Sequence, residues 1–132
     1  MFLGLLEENE KKAFLKLAHY MARSDGDFSD KQKEIIATYC FEMQIDDIDF
    51  DKIDFDVNSV VKEFKSTKSK KIALLEIMAL VFSDNILHRE EEKIIDIMLD
   101  SFEFDKKLSQ LYAEWTKSIL AVSEQGKILI EM

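Results

Sequence analysis

The sequence predicts an all-α fold: a single compact domain over residues 1–132, with about six to seven helices built from two related helical hairpins. Three observations lead there. Proline is absent and glycine occurs only three times, so the turn punctuation of a β-sandwich is missing. Apolar residues recur at three- and four-residue spacing along most of the chain. The stretch SDGDFSDKQKEII, from Ser24 to Ile36, returns as SDNILHREEEKII, from Ser83 to Ile95. The resulting pseudo-repeats cover about 10–44 and 70–103, and a C-terminal helix is expected over about 105–123.

The first helix is expected from Glu10 to Ser24, with Phe14, Leu17, Ala18, Met21 and Ala22 as its apolar stripe. Before it, Phe2 to Leu6 reads as a short helix or a packed arm. Gly26 can take the left-handed conformation that closes a helix. Ser29 and Gln32 form a capping-box pattern for the second helix, which buries Ile36, Tyr39, Cys40 and Met43 and ends near Gln44.

Ile45 to Asp56 alternates aspartate with Ile and Phe. Aspartate is a poor strand former, so the segment is expected as an irregular turn clipped to the core by Ile48, Phe50, Ile53 and Phe55. Asn58 to Lys65 reads as a short helix. Lys62 to Lys71 reads as an exposed basic connection. In Ile72 to Phe82 only Glu76 is polar, which places this helix at the centre of the domain and Glu76 at its rim. Asn85 replaces Gly26 in the second turn. Glu90, Glu91 and Glu92 then suit the positive start of the next helix, whose buried stripe is Ile94, Ile95, Met98, Leu99 and Phe102. In the last helix Leu108, Leu111, Tyr112, Trp115, Ile119 and Leu120 keep helical spacing, and Gly126 is expected to interrupt it.

The net charge of −9 disfavours nucleic acid and anionic membranes as partners and suits cations or basic protein surfaces. No stretch is long and apolar enough for direct membrane insertion. The single Cys40 and the absence of a secretory pattern point to a reducing, cytoplasmic compartment. No zinc motif, phosphate loop or nucleophile elbow is present. An EF-hand is excluded: with Asp25-Gly26 at its fifth and sixth positions, Met21, Arg23 and Gln32 would fall at its first, third and twelfth. The chain is therefore expected not to be an enzyme.

The two turns resemble those of the TerB-like family, named for the tellurite-resistance protein TerB. Each family hairpin carries an alanine-rich helix, Asp-Gly, a hydrophobic residue, and an acid at the seventh position after the Asp. Here the first copy, Met21-Ala22-Arg23-Ser24-Asp25-Gly26-Asp27-Phe28, leads to Gln32 in place of that acid. The second, Ser83-Asp84-Asn85-Ile86-Leu87, leads to Glu91 but lacks the glycine. The resemblance implies a non-enzymatic, bacterial stress-response module that works through an unidentified protein partner. It also implies a divalent cation at the acidic turns, and so nominates Asp25, Asp84 and Glu91 as metal ligands. The alternative is a purely structural, scaffolding domain without ligand, related to the domain that precedes J-domains in membrane-anchored co-chaperones. In that reading each Asp caps a helix start, and Gln32 and Glu91 complete capping boxes.

Overall fold

The computed structural model describes residues 1–24, 28–84 and 89–132, with the backbone alone at residue 84. The protein is all-α. Among the described residues the six α-helices are α1 (Glu8–Ala22), α2 (Asp30–Met43), α3 (Val57–Val61), α4 (Thr67–Val81), α5 (Arg89–Phe102) and α6 (Lys106–Glu131). Short 3-10 turns cover Leu3–Leu5 and Phe82–Asp84.

The helix ends recur at a fixed interval of 59 residues. Glu8 pairs with Thr67, Ala22 with Val81, Asp30 with Arg89 and Met43 with Phe102. The equivalence extends to the backbone. Among the described residues, Gln44 and Glu103, again 59 apart, are the non-glycine residues at positive φ, 55° and 59°. Behind each of them the next amide closes the helix on a carbonyl five residues back: Ile45 on Cys40 at 3.1 Å and Phe104 on Leu99 at 2.9 Å. This is the wider hydrogen bond of a Schellman cap. Ser24 and Ser83 likewise cap α1 and α4, each hydroxyl donating three residues back, to Met21 O at 2.8 Å and Leu80 O at 2.7 Å.

Helix α4 occupies the centre. Ile72, Ala73, Leu74, Ile77, Met78, Leu80 and Val81 are all buried, and α4 packs on α1, α5 and α6. Phe14, Leu17, Met21, Ile36, Met43, Val61, Phe64, Met98 and Phe102 complete one continuous core. Tyr39 and Cys40, expected inside, are half-buried at its edge.

Several expectations need correction. Glu76 is not at the rim: it is only 3% exposed. Its Oε1 accepts from the Met1 ammonium at 3.1 Å and from the Phe2 amide at 3.0 Å. Glu42 grips the same segment, accepting from the Met1 ammonium at 3.0 Å and from the Leu3 amide at 3.0 Å. Ile53 does not clip to the core; it is 92% exposed, at the tip of a turn in which Asp51 accepts from its amide at 2.9 Å. The lysine-rich stretch is not all connection. Ser66 caps α4 by accepting from the Ser69 amide at 3.0 Å, so Lys68, Lys70 and Lys71 lie in the first turns of that helix. Gly126 does not interrupt α6, which runs unbroken to Glu131, beyond the expected end near 123. Only the first part of α6 packs on the domain, through Leu108, Ser109, Tyr112, Ala113 and Thr116. Leu111, Val122, Leu129 and Ile130 face solvent. The closing role expected of Gly26 and Asn85 lies outside the described residues.

Candidate functional site

The start of α2 is fixed as the local sequence requires. The Ser29 hydroxyl accepts from the Gln32 amide at 3.2 Å, and Gln32 Oε1 accepts from the Ser29 amide at 2.8 Å. This reciprocal pair satisfies two amides that a helix start leaves open. Helix α5 starts at Arg89, which puts Glu91 at the third helical position, the equivalent of Gln32.

Residues that flank the two turns line one cavity of about 140 Å³, and three corresponding pairs are among them: Met21 and Leu80, Ser24 and Ser83, Gln32 and Glu91. Glu91 is 6% exposed. Lys31 stands on the same wall. The volume has room for an ion and a few waters. The oxygen donors on its wall, a carboxylate, an amide and hydroxyls, are the hard ligands that Ca²⁺ or Mg²⁺ takes. Both serine hydroxyls spend their proton on a backbone carbonyl and keep oxygen lone pairs to offer.

Of the three nominated metal ligands, Glu91 is therefore placed at this cavity. Asp25 and the side chain of Asp84 lie outside the described residues. Among the described residues no group of three or more His, Cys, Asp or Glu side chains comes together with metal-holding geometry.

The opposite end of α1 and α4 shows a similar meeting of equivalent positions. Glu10, 4% exposed, corresponds to Ser69 of α4 and is hydrogen-bonded to it. It also accepts from the Glu7 amide at 2.9 Å and the Lys65 amide at 3.1 Å. Burial alone would raise the Glu10 pKa, but these donors more than offset it and hold the carboxyl below its ordinary value.

A second polar cluster was not evident from the sequence. His19 of α1 is buried, with its Nε2 2.7 Å from Asp47 Oδ1. Arg23, one turn on, reaches His19 Nδ1 and its carbonyl oxygen. A neutral imidazole that donates from Nε2 to Asp47 and accepts from Arg23 at Nδ1 satisfies all of these contacts; the tautomer is assigned from the network. Phe50 stacks on the His19 ring at 5.6 Å, and the Arg23 guanidinium lies 3.9 Å from the centre of the Phe28 ring. Tyr20 and Phe55 stack at 4.5 Å. These contacts hold the aspartate-rich segment against α1. The alternation of Asp with Phe was the available signal; the partner in α1 was not.

Cys40 borders an open groove of about 700 Å³ near this cluster. Burial, then the nearby Asp47 and Asp46 carboxylates, push its thiol pKa up. At neutral pH it is a protonated thiol, a poor nucleophile.

No described helix is long and apolar enough to cross a membrane. No protein-family model, curated protein sequence or solved structure matches the chain.

Proposed function

We propose that the chain is a TerB-like, non-enzymatic module of a stress-response system, acting through protein contacts and binding a divalent cation between its two acidic turns. One observation carries the cation part. Corresponding residues of the two hairpins line a single cavity, and a buried carboxylate, Glu91, stands on its wall. Asp25 and Asp84, one residue beyond Ser24 and Ser83 in the sequence, would complete the ligand set. Gln32 is not counted as a ligand, because its Oε1 is already the cap acceptor for Ser29.

The second reading, a ligand-free structural domain, is favoured by Lys31. Lys31 lines the same cavity as Glu91, so a cationic side chain of the chain itself is close to the position the ion would take. Titration calorimetry with Ca²⁺, Mg²⁺, Mn²⁺ and Zn²⁺ separates the two. The cation reading expects one site per chain, weakened at least about tenfold, or about 1.4 kcal/mol, by Glu91→Gln and by Asp84→Asn. Absence of heat with all four ions at millimolar concentration would leave the ligand-free reading standing.

A further inference from the structure

We infer that a groove beside the start of α4 docks an acidic segment of another protein, one that carries an apolar side chain between carboxylates. The inference gives a chemistry to the protein contacts of the proposed module and rests on that part of the reading; it does not involve the cation. The groove encloses about 410 Å³. Phe2, Ile72, Leu75 and Tyr112 supply its apolar lining. Trp115, 36% exposed, lies 6.3 Å from the Phe2 ring. Lys68 and Lys71 also line the groove, both exposed, and no acidic residue does.

Charge points to the occupant. Lys11, Lys33, Lys93, Lys117 and Lys127 each pair with an acid three residues earlier. Three residues before Lys71 stands Lys68, and three before that stands Lys65. Among the described residues neither groove lysine has an ion pair, in a chain of net charge −9. Both lie in the first two turns of α4, where a lysine opposes the helix dipole, so helix stability does not account for them. Two ammonium groups beside an apolar wall match a ligand with carboxylates beside an apolar side chain. A bare phosphate would leave the wall unused. A small amphipathic acid would stay largely wet, since sites for such ligands bury most of the ligand and here the lysines stand in solvent. A polypeptide brings its own cover. Nucleic acid or an anionic membrane would set an extended negative surface against the acidic body of the domain, whereas a short segment brings only a few charges.

Selection of a random peptide library against the full chain, in EDTA, tests the occupant. Binders should be enriched in Asp and Glu around a Leu, Ile or Phe. A labelled binder, followed by fluorescence anisotropy, should lose affinity at least about tenfold in Lys68→Glu/Lys71→Glu and at least about fivefold in Phe2→Ala, with circular dichroism unchanged. Lys62→Glu, exposed in the same lysine-rich stretch but outside the groove, should change it less than about twofold. A library that yields no acidic binder, or binders indifferent to Lys68 and Lys71, overturns the inference. Loss in the lysine variant with Phe2→Ala unaffected shows charge attraction without a groove, and overturns it too. So does tighter binding of phosphatidylserine vesicles or oligo-dT through the same lysines. With cations chelated, none of these outcomes bears on the calorimetric test of the turns.

Discussion

Glu76 and Glu42, from α4 and α2, converge on the first three residues of the chain and take up the Met1 ammonium and the amides of Phe2 and Leu3. Tyr39 stands beside them; burial, then the Glu76 and Glu42 carboxylates, push its phenol well above the usual range, so it stays neutral. Glu76→Ala removes an ionised acceptor of two hydrogen bonds, and hydrogen bonds to charged groups contribute about 1.5–3 kcal/mol each. The ammonium is partly solvated, so the expected loss is nearer about 2 kcal/mol in total, read as a lower urea midpoint at unchanged slope. Glu42→Ala should cost less, because that side chain is more exposed. Glu76 also marks a limit of sequence reading. Its polarity in an apolar helix is visible, but its partners are backbone and terminal donors more than 70 positions away, which leave no compositional trace. The Ser29–Gln32 box is the opposite case: both partners are side chains three residues apart, and the sequence alone is enough to place it.

At the scale of elements, apolar periodicity located the long helices because a three-to-four spacing over four turns has few alternative meanings. Ends were less legible where glycine was the guide. Gly126 sits inside α6, and a Cβ built there meets no atom within 4 Å. Gly126→Ala should therefore strengthen the helix by about 0.5–1 kcal/mol. Because the last turns of α6 carry little domain contact, the gain should appear as added helical ellipticity near 222 nm, with the main unfolding transition nearly unmoved. The irregular segment from Ile45 to Asp56 was recognisable as neither helix nor strand. Which of its apolar residues turn inward was not, since Ile53 and Phe55 look alike in sequence and differ only in what α1 offers them: Tyr20 stacks on Phe55, and Ile53 is left in solvent.

For the whole molecule, two groups at opposite ends of the pH scale contribute to the stability window. The Glu10 carboxyl is depressed on folding, so its contribution is present above the unfolded carboxylate value of about 4.3 and is lost as pH falls through the lower folded value. The Met1 ammonium behaves in the reverse sense. Burial alone would lower its pKa, but Glu42 and Glu76 more than offset this and raise it. Its contribution is complete below the unfolded value of about 8 and disappears as pH rises through the folded one. A melting temperature followed against pH should show a plateau bounded on both sides, and Glu10→Gln should flatten the acid limb only. An acid limb unchanged in Glu10→Gln would remove Glu10 from this account.

The pairing of corresponding positions at the two ends of α1 and α4 has an evolutionary consequence. Two identical hairpins would set like residue against like, and two glutamates facing each other in a closed space repel. In this chain each pair of equivalent positions holds one acid and one neutral residue: Glu10 is hydrogen-bonded to Ser69, and Glu91 and Gln32 line the same cavity. A duplicated ancestor could bury an acid there only by letting its halves diverge. The two copies are thus specialised against each other and are no longer interchangeable parts.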